Sequence, residues 1–133
     1  MEIDIPEVQT ELRRAFAEYE RAITTNDIVT LNRLFLAVAT TVRFGSRGEN
    51  QYSYDEIAAF RRTTAPAGLA RTLARTRVTT YGTDFGVAST LYYRDDAPGK
   101  VGRQMQTWIR TPLGWRIVAA HVSLVDGPDR ATP

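Results

Sequence analysis

A few residues of this 133-residue chain can do chemistry, and their spacing narrows what that chemistry is. Arg43 stands between Val42 and Phe44 in a β-branched and aromatic run over 40–45. A guanidinium in such a run is costly unless it meets a carboxylate partner or an anionic ligand. Gln104, Gln106 and Trp108 follow at a spacing of two, so on a strand they share one face. Buried amides need hydrogen-bond partners, and a structural core seldom holds two beside an indole. That face either lines a polar cavity or looks out to solvent or a second subunit. His121 is the single histidine, the residue type that titrates near neutrality. It is either a packing residue of the sheet or a pocket acid/base and donor to a carboxylate. Tyr19, flanked by Glu18 and Glu20, lies on an apolar helical stripe; its hydroxyl sits at a wet boundary or points at a ligand. Arg61, Arg71, Arg75 and Arg77 can add positive charge to such a site, and one or two of them are expected there.

Other chemistries are excluded. Without cysteine there is no disulfide, thiol nucleophile, iron–sulfur cluster or cysteine-bound zinc, and one histidine does not make a histidine-rich metal site. The expected cofactor and metal content is therefore none. No Asp or Glu falls inside the last two predicted strands before Asp126, which argues against paired-carboxylate chemistry. Neither a glycine-rich phosphate loop nor a nucleophile elbow is present. Seventeen basic and fifteen acidic residues give a net charge of +2, too little for a general nucleic-acid binder. All the basic residues except Lys100 are arginine, reflecting either codon composition or bidentate grip on carboxylates. No apolar run reaches the ~20 residues that span a bilayer. The N-terminus is acidic, then amphipathic, unlike a secretory signal, so a cytoplasmic protein without membrane contact is expected.

The elements that must position these residues follow from periodicity. The length fits one domain, 1–133, with a flexible tail over about 127–133. Asp4, Pro6 and Glu7 read as a helix start, and Val8, Leu12, Ala15, Phe16, Tyr19 and Ile23 form one apolar stripe. Asn26-Asp27 ends this helix and caps a second, with Ile28, Leu31, Leu34 and Phe35 inward. After the strand at 40–45, Gly45, Gly48 and Asn50 mark a loop. Ser53 to Glu56 forms a capping box opening a third helix with Ile57 and Phe60, ended by Pro66 and Gly68. Strands are predicted at about 70–81, 85–94, 101–111 and 114–125, with turns at 81–84, 95–99 and 111–114. In the last strand Trp115, Ile117, Ala119 and His121 are expected on one face, and Arg116, Val118, Ala120 and Val122 on the other. The order implies an α+β fold, three N-terminal helices packed on a curved, mainly antiparallel sheet.

These residues carry a family resemblance. Gly99 to Trp108, GKVGRQMQTW, followed by Gly114 to Ser123, GWRIVAAHVS, resembles the AtzH-like family, which also includes the oxalurate-catabolism protein HpxZ. The likeness extends to Arg43-Phe44-Gly45, to Ile57 through Arg61, to Leu69-Ala70-Arg71 and to Thr79 through Phe85, covering about residues 5–126. It implies the cone-shaped nuclear transport factor 2-like fold, with a pocket between the concave sheet face and the first helix. It also implies a homodimer and a place beside amidases that degrade ureido acids. In the family a helix-one tyrosine and a first-strand arginine, matching Tyr19 and Arg43, are implicated in hydrolysing a dicarboxylated urea. Thr63-Thr64 departs from a pattern with a further arginine near this place.

The resulting expectation is a metal-free small-molecule pocket protein, an amidohydrolase acting on a ureido carboxylate of the oxalurate or carboxylated-urea type. Its catalytic set is Tyr19, Arg43 and His121, with Gln104, Gln106, Trp108 and Arg71 binding substrate. The expected partners are a small carboxylate substrate, a second copy docked through the sheet and an amidase; nucleic acid and membrane are not. The alternative is a non-catalytic binding or accessory subunit of an amidase. A third reading, an isomerase or dehydratase of the ketosteroid-isomerase kind, would line its cavity with Trp108, Phe85 and Tyr93.

Overall fold

The computed structural model describes residues 1–63 and 70–127. The elements run α1 (Pro6–Thr25), α2 (Ile28–Leu34), β1 (Val42–Phe44), β2 (Asn50–Tyr52), α3 (Tyr54–Thr63), β3 (Thr72–Tyr81), β4 (Phe85–Tyr93), β5 (Lys100–Thr111) and β6 (Gly114–Asp126). The six strands form one open sheet in the order β2-β1-β6-β5-β4-β3. All neighbours are antiparallel except β1 and β6, which pair in parallel. The fold is α+β, as the element order implies.

Helix α1 buries Val8, Leu12, Phe16, Tyr19 and Ala22 against the sheet. Gly86 of β4 makes this approach close, because a Cβ there would fall on the Leu12 side chain. Asn26 closes α1 in the left-handed conformation (φ 54°), where asparagine is tolerated. Asp27 then caps α2, accepting from the Thr30 N–H at 3.1 Å and the Thr30 hydroxyl at 2.8 Å. Thr30 holds the Asp27 carboxyl below the usual carboxylate range. The core continues through Leu31, Leu34, Phe35 and Ile57 to Trp108, Trp115 and Ile117.

Several expectations are corrected. Helix α1 opens at Pro6 with Glu7 in its first turn and Ile5 as its N-cap residue, while Asp4, read with the helix start, pairs elsewhere. Its carboxylate accepts from the Thr80 N–H at 2.9 Å and its own N–H donates to the Thr80 carbonyl, tying the N-terminus to β3. Residues 50–52 form a strand rather than loop, short but fixed by pairing with β1. At α3 the Ser53 hydroxyl accepts from the Glu56 N–H as in a capping box, while Glu56 reaches one residue further back, to the Tyr52 N–H. The helix end expected at Pro66 and Gly68, Thr64 and the tail over 128–133 lie outside the described residues. Gly127, placed in that tail, donates its N–H to the Gly99 carbonyl.

The largest correction concerns β6. Thr107 pairs with Ala119, but Trp108 pairs with Ile117, so Val118 is an extra residue in a β-bulge. The bulge inverts the alternation. Trp115 and Ile117 face the helices, but beyond Val118 it is Ala120 and Val122 that face inward, while Ala119 and His121 turn to the opposite face.

No helix is long and apolar enough to cross a membrane among the described residues.

Candidate functional site

A cavity of about 180 Å³ opens between the concave sheet face, α1 and α3. This is below the roughly 300–1,000 Å³ of sites for drug-sized ligands, so it suits a small molecule. Its wall is cationic: Arg43, Arg47, Arg61, Arg71 and Arg94 line it. Arg75 and Arg77 lie on exposed positions of β3 and do not.

Two of the five are already committed. Arg71 grips the Glu20 carboxylate through both Nε, at 3.1 Å, and Nη2. It also donates to Gln104 Oε1 at 3.0 Å and lies over the Tyr92 ring at 4.4 Å. This ion pair is well buried, with side-chain exposures of 6% for Arg71 and 14% for Glu20. Arg94 is held by Asp96, Nε to Oδ1 at 2.8 Å.

Arg43 and Arg61 are different. Arg43 donates through Nη1 to Gln51 Oε1 at 3.0 Å, yet its Nε is buried with no hydrogen-bond partner. Arg61 stacks over Phe35 at 4.9 Å, and its Nη1 is likewise buried and unpartnered. Among the described residues no ion pair reaches either guanidinium. Burial pushes Arg61 down to about 10; nearby Tyr19 opposes the drop, and the Arg43 charge adds to it. Each unmade buried donor costs about 1–3 kcal/mol, a need that no described residue meets. Tyr19, 2% exposed, lines the same cavity and makes no hydrogen bond to another described residue.

Among the described residues Glu49 is the one carboxylate on the wall. Its Oε2 takes the Arg47 N–H at 3.3 Å and fills the place a Cβ of Gly45 would occupy, with Arg43 Nη1 2.9 Å from that same point. Glycine at 45 thus lets a carboxylate settle beside Arg43 without forming an ion pair. Tyr92 on the floor has its phenol raised by burial, against the lowering effect of Arg71 and Arg94.

Of the residues expected at the site, the structure brings Tyr19, Arg43, Arg71 and Gln104 to one cavity. Gln106 and Trp108 face the same side but lie deeper, 1% and 0% exposed, and Trp108 Nε1 donates to Gln106 Oε1 at 3.1 Å. They belong to the core rather than the cavity wall. His121 is corrected: it lies exposed on the outer face, opposite Met105, its ring edge-on to Phe44 at 6.1 Å. The strand aromatics expected to line the cavity of an isomerase are not among its lining residues, since Trp108 is core while Phe85 and Tyr93 alternate to the outer face; the aromatic residues that line it are Tyr19, Phe60 and Tyr92. Glu49 and Gln51 were not foreseen as site residues, because β2 and its turn read as loop. The alternation of exposed and buried residues in Asn50-Gln51-Tyr52 was the available signal. No cluster of three or more metal-ligating side chains occurs among the described residues.

The AtzH-like family model matches residues 1–128. The chain belongs to the AtzH-like family. Among solved structures, this AtzH-like chain is similar to a protein of unknown function from the DUF3225 family of Pectobacterium atrosepticum. They share 49% identity over 93% of this chain and 95% of that one, with a TM-score of 0.89. A cystatin-like fold protein from Burkholderia xenovorans shares 47% identity over 96% and 99% of the two chains, TM-score 0.91. An NTF2-like protein of unknown function from Pseudomonas putida, 16% identical over 95% and 92%, superimposes with a TM-score of 0.76 and shows the fold alone. The AtzH-like chain thus has the NTF2-like, cystatin-like fold. A search of curated proteins finds no significant match.

Proposed function

We propose that the cavity binds a small ureido carboxylate and that the protein hydrolyses a linear amide C–N bond in it. One observation carries this reading: two adjacent guanidiniums, Arg43 and Arg61, each hold a buried N–H group without an acceptor among the described residues. A carboxylate meets that need, through charge-assisted hydrogen bonds worth about 1.5–3 kcal/mol. With the carboxylate so held, Tyr19 donates its hydroxyl proton to the departing nitrogen. Glu49, the wall carboxylate, takes a proton from the attacking water. The water oxygen bonds to the carbonyl carbon as the C–N bond breaks, and the proton on Glu49 returns to Tyr19 through solvent. Arg71 and Gln104, locked by Glu20, shape the floor.

A second reading, a binding or accessory subunit of an amidase, is favoured by one feature. The cavity wall carries neither histidine nor cysteine, so its acid/base equipment is sparse. In either role we place the protein in the cytoplasm as a homodimer docked through the outer sheet face, where Tyr52, Phe85 and Met105 are 57%, 42% and 58% exposed. The test is to incubate the protein alone with oxalurate and with dicarboxylated urea and follow ammonia and CO2. Turnover that Arg43→Ala abolishes supports the hydrolase. Binding without turnover, with a stable amidase complex, replaces it by the accessory reading.

A further inference from the structure

Register places three buried donors in a single row on the concave face. Gln51 pairs with Arg43, Arg43 with Ala120, and Ala120 with Gln106, across β2, β1, β6 and β5. Chemistry fixes how both amides are turned. Arginine and the indole nitrogen only donate, so the Gln51 oxygen must face Arg43 Nη1 and the Gln106 oxygen must face Trp108 Nε1. A flipped amide would set N–H against N–H. The leftover groups, Gln51 Nε2, Gln106 Nε2 and Arg43 Nε, are all buried without a partner. Between them stands Ala120, a methyl group that takes little room and offers no acceptor. The bulge at Val118 is what turns Ala120 into this row.

We propose that this row, which meets the cavity wall at Arg43, is a donor-lined subsite that receives the carboxylate end of the ligand over Ala120 and disfavours an amide or other N–H-bearing end. The inference rests on the reading that the cavity takes a carboxylate. It adds which end enters first and which residues, Gln51 and Gln106, tell an acid from its amide. Each amide oxygen already takes one hydrogen bond while all three unpartnered groups are donors, so an incoming carboxylate is better matched than an incoming N–H. Gln106 thereby gains a role although it lies below the cavity wall.

The experiment compares oxalurate with oxaluramide, its carboxylate replaced by a primary amide, by isothermal calorimetry and thermal shift. The wild-type protein is expected to bind oxalurate at least tenfold more tightly. Ala120→Ser puts a hydroxyl oxygen among the three donors, and Gln106→Glu puts a carboxylate there without changing volume. Each is expected to raise the melting temperature of the free protein and to weaken oxalurate at least tenfold. Equal wild-type affinity for acid and amide, or unchanged oxalurate affinity in both variants, overturns the subsite while leaving the carboxylate reading in place. Failure of the wild-type protein to bind either compound or dicarboxylated urea overturns both.

Discussion

Replacing Arg61 by methionine should make the free protein more stable while destroying the site. Arg61→Met removes the cation and keeps a flexible apolar stem that can lie on Phe35. Burial foremost, with Arg43 repulsion adding and Tyr19 opposing, brings this guanidinium from its ordinary range down to about 10. At about 1.4 kcal/mol per tenfold change, carrying the charge costs the folded state about 3 kcal/mol. Loss of the cation–π contact with Phe35, 4.9 Å from the ring centre, gives back about 1–2 kcal/mol. The net gain is about 1–2 kcal/mol, or roughly 3–10 °C in Tm for a domain of this size. Because the folded pKa is lowered, the penalty is fully present below about pH 10 and fades above it, as the native state gives up the proton before the unfolded chain does. The stability gap between variant and parent should therefore be constant from pH 6 to 9 and narrow above 10. Scanning calorimetry across that range reads the gap, and thermal shift with oxalurate reads the site. A variant that melts lower than the parent and keeps its ligand-induced shift would show that Arg61 is a structural residue, and the reasoning would fail.

Other expectations follow from the same geometry. Glu20→Gln strips the charge from a pair that is 6% and 14% exposed and strands Arg71, so urea unfolding should show a loss of about 3–5 kcal/mol. Gly102→Ala drives a Cβ into the Tyr92 ring that floors the cavity; a loss of about 1–3 kcal/mol with weakened carboxylate binding is expected by denaturation and calorimetry. His121→Ala should leave oxalurate binding within error of the parent, because that ring sits on the outer face. Its effect, if the sheet face pairs two copies, should appear in the dimer dissociation constant read by analytical ultracentrifugation.

Much of the architecture was legible because it rests on repeated local signals. The stripe from Val8 to Ile23 has no other helical interpretation, and the period-two stretches ending in tight turns at 81–84 and 111–114 delimit β3 to β6. An acid before Pro6 suits a helix start and a strand anchor equally, and only the partner of Asp4, Thr80, decides between them. Strand β2 is three residues long and exists through pairing with β1, which a local window does not see. At the site, Arg43 stood out because its cost is local, a charge in an apolar run. Arg61 did not, since on an amphipathic helix end a buried arginine resembles a solvated one. Strict alternation across Val118 sets His121 inward, and Ile117-Val118-Ala119 contains no glycine to announce the bulge that turns it out.

That bulge makes β6 behave like a text with a frameshift. Upstream of Val118 one set of alternate letters is read by the helices; downstream the complementary set is read by the cavity. Deleting Val118 alone would flatten the bulge and keep Ala120 and Val122 inward; threading Val118 into the ladder would instead slide the downstream half by one residue and present Ala119 and His121 to the ligand. Whether the extra residue is bulged out or threaded into the ladder thus exchanges an entire panel of the wall at once, something no single substitution achieves. Chains of this architecture that lack the bulged residue would keep the same panel, and chains that hold it without the bulge would carry a different one behind nearly identical text.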